Sequence, residues 1–336
     1  MHDDYISFSN LYHGLKRSCR NVRWKTSVTQ YEMNGLKNTA KLIRQIKSGE
    51  YQISKYQVFE IFEPKRRTIR ATRIKDRQLQ RSLCDNVLYN ALTRSFIYDN
   101  CACQIGKGTL FAVNRLKTKL HQYYRSQRTA DGYYLKCDIR HFFDSIRHDV
   151  AKAAVRKRVQ SDDVCERVFD IIDSFDGKVG IGLGSQVSQL VALSVLDDMD
   201  HIIKEQLGIK GYIRYMDDFV LIHHDKQHLK NCLQVIREHL ASIGLELNEK
   251  TSIQPLRHGL TFLHWRFYLS QTGAVCMTQA KDRVRRRHRH LSKMLAAVRA
   301  GALPVSAIND AIAGMIAHIN HGKCYHERKK LNEYIV

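Results

Sequence analysis

The sequence predicts an α+β fold, and three observations carry that prediction. Strand-like and helix-like stretches are interleaved without the regular βαβ rhythm of a doubly wound sheet. Tyr212 and Ile213 lead into Tyr215-Met216-Asp217-Asp218, and Phe219, Val220, Leu221 and Ile222 lead out. Such flanks read as two short strands meeting at a two-carboxylate turn, a β-hairpin with acid at its tip. Near the start, Leu36, Leu42, Ile43 and Ile46 fall at helical spacing, and a second helical stretch over 280–299 is strongly basic.

A chain of 336 residues is long enough to bury a substantial core, as one multi-lobed unit or two to three subdomains. Fifty-five Lys and Arg against 33 Asp and Glu give a net charge of +22, an excess that calls for a polyanionic partner, nucleic acid first among them. No stretch approaches the run of about 18 apolar residues that crosses a bilayer. The opening MHDDYISFSN lacks the pattern of a signal peptide, so the expected location is cytoplasmic with no membrane partner. The nine cysteines are scattered without a Cys-x-x-Cys pair, which argues for reduced thiols rather than zinc ligation. Three prolines argue against long disordered linkers.

In chain order, residues 56–72 read as a strand, a basic turn and a second strand, and 76–98 as an amphipathic helix. Gly106-Lys107-Gly108-Thr109 lacks the spacing of a phosphate-binding loop and reads as a turn and helix cap. Residues 133–137 form a strand ending at Asp138; helices fill 148–175 and 186–206. The hairpin at 211–223 precedes a helix at 226–243, and strands follow at 245–248 and 261–269. Lys281, Arg283, Arg285, Arg286, Arg287 and Arg289 put six cations within ten residues of the basic helix. A mixed helical segment closes the chain.

Of four Asp-Asp pairs, only Asp217-Asp218 has strand-forming flanks on both sides. Asp3-Asp4 sits in a polar tail, Asp162-Asp163 follows Ser161 as the acidic first turn of a capped helix, and Asp197-Asp198 reads as solvent-facing in a helix. Carboxylates held close on strands are costly unless a cation binds there, and Mg²⁺ is the obvious candidate. Asp138, at the end of an apolar strand, is the third carboxylate. Separate chain segments must supply the ligands if two ions are to stabilise both an attacking 3′-oxygen and a leaving pyrophosphate.

With Asp138-x₄-Phe143-Asp144 and Tyr215-Met216-Asp217-Asp218 in this order, the chain resembles the reverse transcriptases, from about residue 55 to 270 and more loosely to the end. The resemblance implies a right-hand polymerase: an N-terminal helical extension (1–54), fingers (55–130), a palm whose antiparallel sheet carries the three aspartates (131–269) and a helical thumb (270–336). It implies two Mg²⁺ ions, with Mn²⁺ able to substitute, held by Asp138, Asp217, Asp218 and the Ile139 carbonyl. Lys250 matches a lysine that protonates pyrophosphate. Lys65, Arg66 and Arg67 match cations that grip the triphosphate. Phe143 matches the aromatic gate against a ribose 2′-hydroxyl, which implies deoxynucleotide substrates, and Leu183, Gly184 and Gln189 fall at the nucleotide. Tyr215, and Phe262 and Trp265 of a hairpin resembling the primer grip, fall at the nucleic acid. The family usually has Gly where His264 stands. Arg283, Arg285, Arg286, Arg287 and Arg289 lie where the thumb tracks duplex phosphates.

Leu183-Gly184-Ser185-Gln186-Val187-Ser188-Gln189 resembles the enzymes of diversity-generating retroelements rather than those with Gln before the Gly. That subgroup implies error-prone copying of a template RNA from a DNA or RNA primer, with a cognate non-coding RNA and a small helical accessory protein as partners. The absence of a maturase, endonuclease or RNase H extension agrees. Defence-associated and group II-like bacterial reverse transcriptases share the compact build. A catalytically inactive RNA-binding scaffold and a primase-like, RNA-synthesising palm enzyme are the readings from other classes; the intact aspartates oppose the first and Phe143 the second.

Overall fold

Three helices open the chain: α1 (Phe8–Ser18), α2 (Thr26–Met33) and α3 (Gly35–Lys47). An antiparallel hairpin of β1 (Gln57–Ile61) and β2 (Arg67–Ala71) follows, then α4 (Ile74–Leu83), a π-helical turn at Cys84–Leu88 and α5 (Tyr89–Thr93). Next come α6 (Thr109–Gln127), β3 (Tyr133–Asp138), α7 (Phe142–Ser145), α8 (His148–Arg156), α9 (Asp162–Asp173), α10 (Gln186–Val195) and α11 (Asp197–His201). The hairpin β4 (Gly211–Tyr215) and β5 (Asp218–His223) leads to α12 (Lys226–Ser242) and β6 (Ser252–Pro255). β7 (Leu260–Phe262), β8 (Trp265–Leu269) and β9 (Val275–Gln279) form a meander before α13 (Lys281–Arg299), α14 (Val305–Ile319) and α15 (Tyr325–Asn332). The structure is a computed structural model that describes residues 4–62 and 66–334.

Contacts divide the chain into two units. The first comprises Met1–Ile105, Asp138–Gly208 and Gln234–Glu249. Here the Ser7 hydroxyl caps α1 by accepting from the Asn10 N–H, and α1 lays Leu11 and Leu15 against α4. The two helices approach closely at Gly14, where a Cβ would stand 2.8 Å from the Gln78 carbonyl oxygen. Buried Gln78 ties three helices together: its amide donates to the Leu11 carbonyl and to Thr39 Oγ1, and its oxygen accepts from Tyr31. A second buried polar contact joins Arg158 of the α8–α9 connection to Asp197 at 2.6 Å.

The second unit comprises Gly106–Cys137, Ile209–Leu233 and Lys250–Val336. Its four-stranded sheet runs β4-β5-β3-β6 and its three-stranded sheet β7-β8-β9. Tyr212, Ile213, Phe219, Val220 and Leu221 of the β4–β5 hairpin are fully buried. At about 1.5–3 kcal/mol for each large apolar side chain, this burial makes the hairpin a rigid platform. α6 packs on β4, and Lys119 Nζ donates to the Lys210 carbonyl at its edge.

Helices fill 148–175 as expected, in two pieces, and Ser161 starts the second, α9, with its hydroxyl accepting from the Val164 N–H. Other expectations change. Asp197 does not face solvent: it is fully buried, and Arg158 neutralises it. Residues 245–248 make a single bridge, Leu247 to Ile139, rather than a strand. Leu36 is exposed, while Leu42 and Ile46 are buried. β6 and β9 have no clear signature in the sequence; neither four-residue Ser252–Pro255 nor half-polar Val275–Gln279 alternates strongly. Among the described residues no helix is long and apolar enough to cross a membrane.

Candidate active site

The hairpin pairs Tyr215 with Asp218, leaving Met216 and Asp217 as a two-residue turn. Met216 has φ 56°, the left-handed conformation that glycine favours and other residues adopt at a cost of about 1–2 kcal/mol. A clamp offsets that cost. Arg214, fully buried one strand position before the tip, donates from Nη1 to the Met216 carbonyl at 3.0 Å. Sequence reasoning missed Arg214; the available signal is a lone cation inside an apolar strand. Tyr215 is half-buried, its hydroxyl 3.4 Å from Thr109 Oγ1.

Asp218 has a second neighbour that no motif marks. Lys136 of β3 places Nζ 3.8 Å from Asp218 Oδ2 and donates to the Thr261 carbonyl at 2.9 Å, so one ammonium links the acidic hairpin to β7. In the first unit, Asn248 holds Asp138 twice: its N–H donates to the Asp138 carbonyl at 2.7 Å and its side-chain amide to Oδ2 at 3.2 Å. Ile139 is buried and bridges to Leu247. Asp217 and Asp218 offer adjacent hard oxygen donors, and Mg²⁺ characteristically takes one or two carboxylates together with substrate phosphates. Among the described residues no three His, Cys, Asp or Glu side chains form a cage for one ion. Asp217 and Asp218 supply the kind of carboxylate oxygens that such an ion takes.

Within the first unit the structure brings Phe143, Leu183, Gly184 and β2 together. The Ile181 N–H donates to the Phe143 carbonyl at 3.1 Å, and the Arg70 N–H donates to the Leu183 carbonyl at 3.2 Å. Residues 181–183 thus strap the short α7 to the β1–β2 hairpin. Gly184 is required at the junction: its φ is 122°, and a Cβ would stand 3.0 Å from the Arg70 carbonyl oxygen. Phe143 is half-buried while its neighbour Phe142 is fully packed. Ser185 caps α10 and donates to Gln80 Oε1. Gln189 lines a cavity of about 330 Å³ with Arg81, Cys103, Gly184 and Ser185, and Cys103 Sγ donates to its Oε1.

The cationic residues divide. Arg66 and Arg67 are exposed, and Arg66 makes a forked ion pair with Glu60 on the facing strand. Lys65 lies outside the described residues. Lys250 is exposed in the turn after Asn248. On α13, Arg283, Arg285, Arg286 and Arg289 are exposed. Arg287 departs from the expectation of a phosphate-facing side chain: it is buried and donates to Gln279 Oε1, because its position turns it under the helix. Phe262 and Trp265 are likewise buried, as inward positions of β7 and β8, so the turn Leu263-His264 is the part of that hairpin presented outward.

No curated protein sequence matches the chain. Among solved structures it resembles an apo telomerase from Candida tropicalis (TM-score 0.50, 14% identity, 71% of this chain and 52% of that one). It also resembles a telomerase from Candida albicans solved with a TWJ fragment of telomeric RNA (TM-score 0.53, 12% identity, 75% and 50%). At these identities the likeness concerns the fold, and the chain spans about half the length of the telomerases it matches. Residues 53–263 match the sequence model described as reverse transcriptase (RNA-dependent DNA polymerase), well over half of the chain and the segment that contains the clamped Asp217-Asp218 turn. The chain belongs to the reverse transcriptase family, the RNA-dependent DNA polymerases.

Proposed function

We propose that this chain copies RNA into DNA by two-metal nucleotidyl transfer, in the error-prone manner of diversity-generating retroelements. The observation that carries the polymerase reading is the two-residue carboxylate turn at Met216-Asp217, held by buried Arg214 inside the segment that matches the family. Reverse transcriptase domains use divalent metal ions, typically Mg²⁺. Asp138, Asp217 and Asp218, with the Ile139 carbonyl, would hold two such ions, which when bound lower the energy of the attacking 3′-oxygen and the leaving pyrophosphate. Arg214 and Asn248 orient the carboxylate-bearing backbone before substrate arrives, so little reorganisation remains for the reaction.

The other residues act on the nucleotide and the duplex. Lys65, Arg66 and Arg67 bind the triphosphate; Glu60 holds Arg66 until phosphate displaces it. Lys250 protonates the departing pyrophosphate. Phe143, positioned by Ile181, fills the space a 2′-hydroxyl would need. Leu183, Gly184 and Gln189 border the incoming nucleotide, where Leu183 can fill space but offers no side-chain hydrogen bond. Without a positioned polar contact discrimination falls, and about 1.4 kcal/mol is already tenfold in rate. The fingers, palm and thumb occupy 55–130, 131–269 and 270–336. Sequencing cDNA made on a single primed RNA tests both levels. Errors concentrated at template adenines, and reduced by Leu183→Gln, support the retroelement reading. Uniformly low error refutes the subgroup alone, and no deoxynucleotide incorporation refutes the polymerase.

A further inference from the structure

Tyr134 and Lys136 stand two apart on β3 and therefore project to one face of the strand. Both reach the segment that runs through β7. The Tyr134 hydroxyl donates to the Gly259 carbonyl at 3.2 Å, and Lys136 Nζ donates to the Thr261 carbonyl at 2.9 Å. Leu135 and Cys137 point the other way and are fully buried, and β3 pairs with β6, where Lys136 lies opposite Ser252. The strand is thus fixed by its core face and its neighbour, and Tyr134 already straps it to the β7 segment.

What Lys136 adds is charge. Its Nζ lies 3.8 Å from Asp218 Oδ2, within the same unit, and the two side chains are only 31% and 24% exposed. Charges sheltered to this degree feel one another more strongly than in open water. Asp217 and Asp218 put two negative charges at adjacent positions, which is unfavourable unless a cation stands near. Arg214 donates to the backbone of the turn at Met216, and Lys136 stands beside the carboxylate itself. A neutral amide would serve the Thr261 carbonyl as a donor; the charge answers to Asp218.

We propose that Lys136 is a positioning residue whose ammonium is the resident counter-charge of Asp218, so that a divalent ion taken by the hairpin must compete with it. The inference rests on the polymerase reading and deepens it: a residue outside the proposed metal ligands sets how readily the acidic hairpin takes an ion. With the ammonium in place the carboxylates are partly neutralised, and an ion without nucleotide gains less from them. The phosphates of a nucleotide add the missing negative charge, which keeps ion binding and nucleotide binding together. The Thr261 carbonyl gives Lys136 an acceptor that does not depend on Asp218, so the cation stays at the site.

The test measures ion binding apart from catalysis. Mn²⁺ is titrated into the nucleotide-free full chain with the free ion followed by electron paramagnetic resonance, and Asp218→Asn identifies the part bound at the hairpin. Lys136→Gln keeps a donor for Thr261 and removes the charge; Lys136→Met removes both. Both variants should bind Mn²⁺ about three- to tenfold more tightly than the parent, and Lys136→Arg should return to within about twofold of it, because only the first two lose the neighbouring positive charge. In single-nucleotide extension by Lys136→Gln the half-saturating metal concentration should fall by a similar factor, without a rise in the maximal rate. Unchanged or weaker Mn²⁺ binding by Lys136→Gln overturns the counter-charge, whatever Lys136→Met does, and leaves the polymerase reading standing. A parent that binds Mn²⁺ no better than Asp218→Asn and extends no primer overturns both.

Discussion

Replacing Arg214 with Met removes the donor beneath the acidic turn while keeping an unbranched side chain of similar reach. Arg214 is fully buried and its guanidinium donates to the Met216 carbonyl at 3.0 Å, at the residue that holds φ 56°. A hydrogen bond from a charged donor contributes about 1.5–3 kcal/mol net. Its removal leaves the Met216 carbonyl against aliphatic carbon, and the left-handed turn must then bear its own cost of about 1 kcal/mol or more. If the turn relaxes to a second conformation, the fraction holding Asp217 and Asp218 in place falls by about ten- to 150-fold. Single-turnover incorporation of one deoxynucleotide on a primed RNA measures that fraction directly. Its rate should fall at least tenfold, with duplex affinity changed less than threefold and the midpoint of urea unfolding lowered. Arg214→Lys should fall between the two, since it keeps charge without the guanidinium fork. A folded Arg214→Met protein that incorporates within twofold of the parent would refute the clamp.

Three further outcomes are expected. Phe143→Ala should raise ribonucleotide relative to deoxynucleotide incorporation, and an unchanged ratio would return Phe143 to ordinary packing. Replacing exposed Arg283, Arg285, Arg286 and Arg289 by Ala should flatten the dependence of log affinity on log salt by up to about 0.9 for each phosphate no longer neutralised, whereas Arg287→Ala should lower stability, because that side chain is buried. The Arg23 guanidinium, assisted by Lys16, holds the Glu32 carboxyl down at about 2. A depressed folded value contributes stability that is complete above the ordinary Glu range and disappears as pH falls toward 2. The stability difference between the parent and Glu32→Gln should therefore shrink steadily between pH 5 and 2.

Much of the fold is legible in the sequence because it rests on local pattern. The β4–β5 hairpin, β1–β2, the strand ending at Asp138, the Ser161 cap and the basic helix each follow from periodicity or end chemistry within a few residues. What stays hidden depends on residues far apart in the chain. Asp197 reads as a surface acid until Arg158, 39 positions away, is seen to neutralise it in the interior. Lys136 reads as one more cation of a basic protein, yet it joins Asp218 to Thr261. Asn248 carries no motif of its own and still fixes Asp138 from 110 positions away. Within α13 the sequence shows six equivalent cations, and only helix packing distinguishes buried Arg287 from its exposed neighbours.

The polymerase assignment stands or falls on extension of a DNA primer along an RNA template by the parent and by Asp217→Asn, with duplex binding measured on the same preparations. The variant keeps the shape of the turn and removes one charge from the proposed metal site. The parent should incorporate deoxynucleotides only with a divalent ion present. The variant should be slower by at least about a thousandfold, a barrier raised by roughly 4 kcal/mol, with duplex affinity within about threefold of the parent. A variant that extends the primer at the parental rate would contradict the role of Asp217, and a parent that binds the duplex but extends nothing would contradict the enzyme.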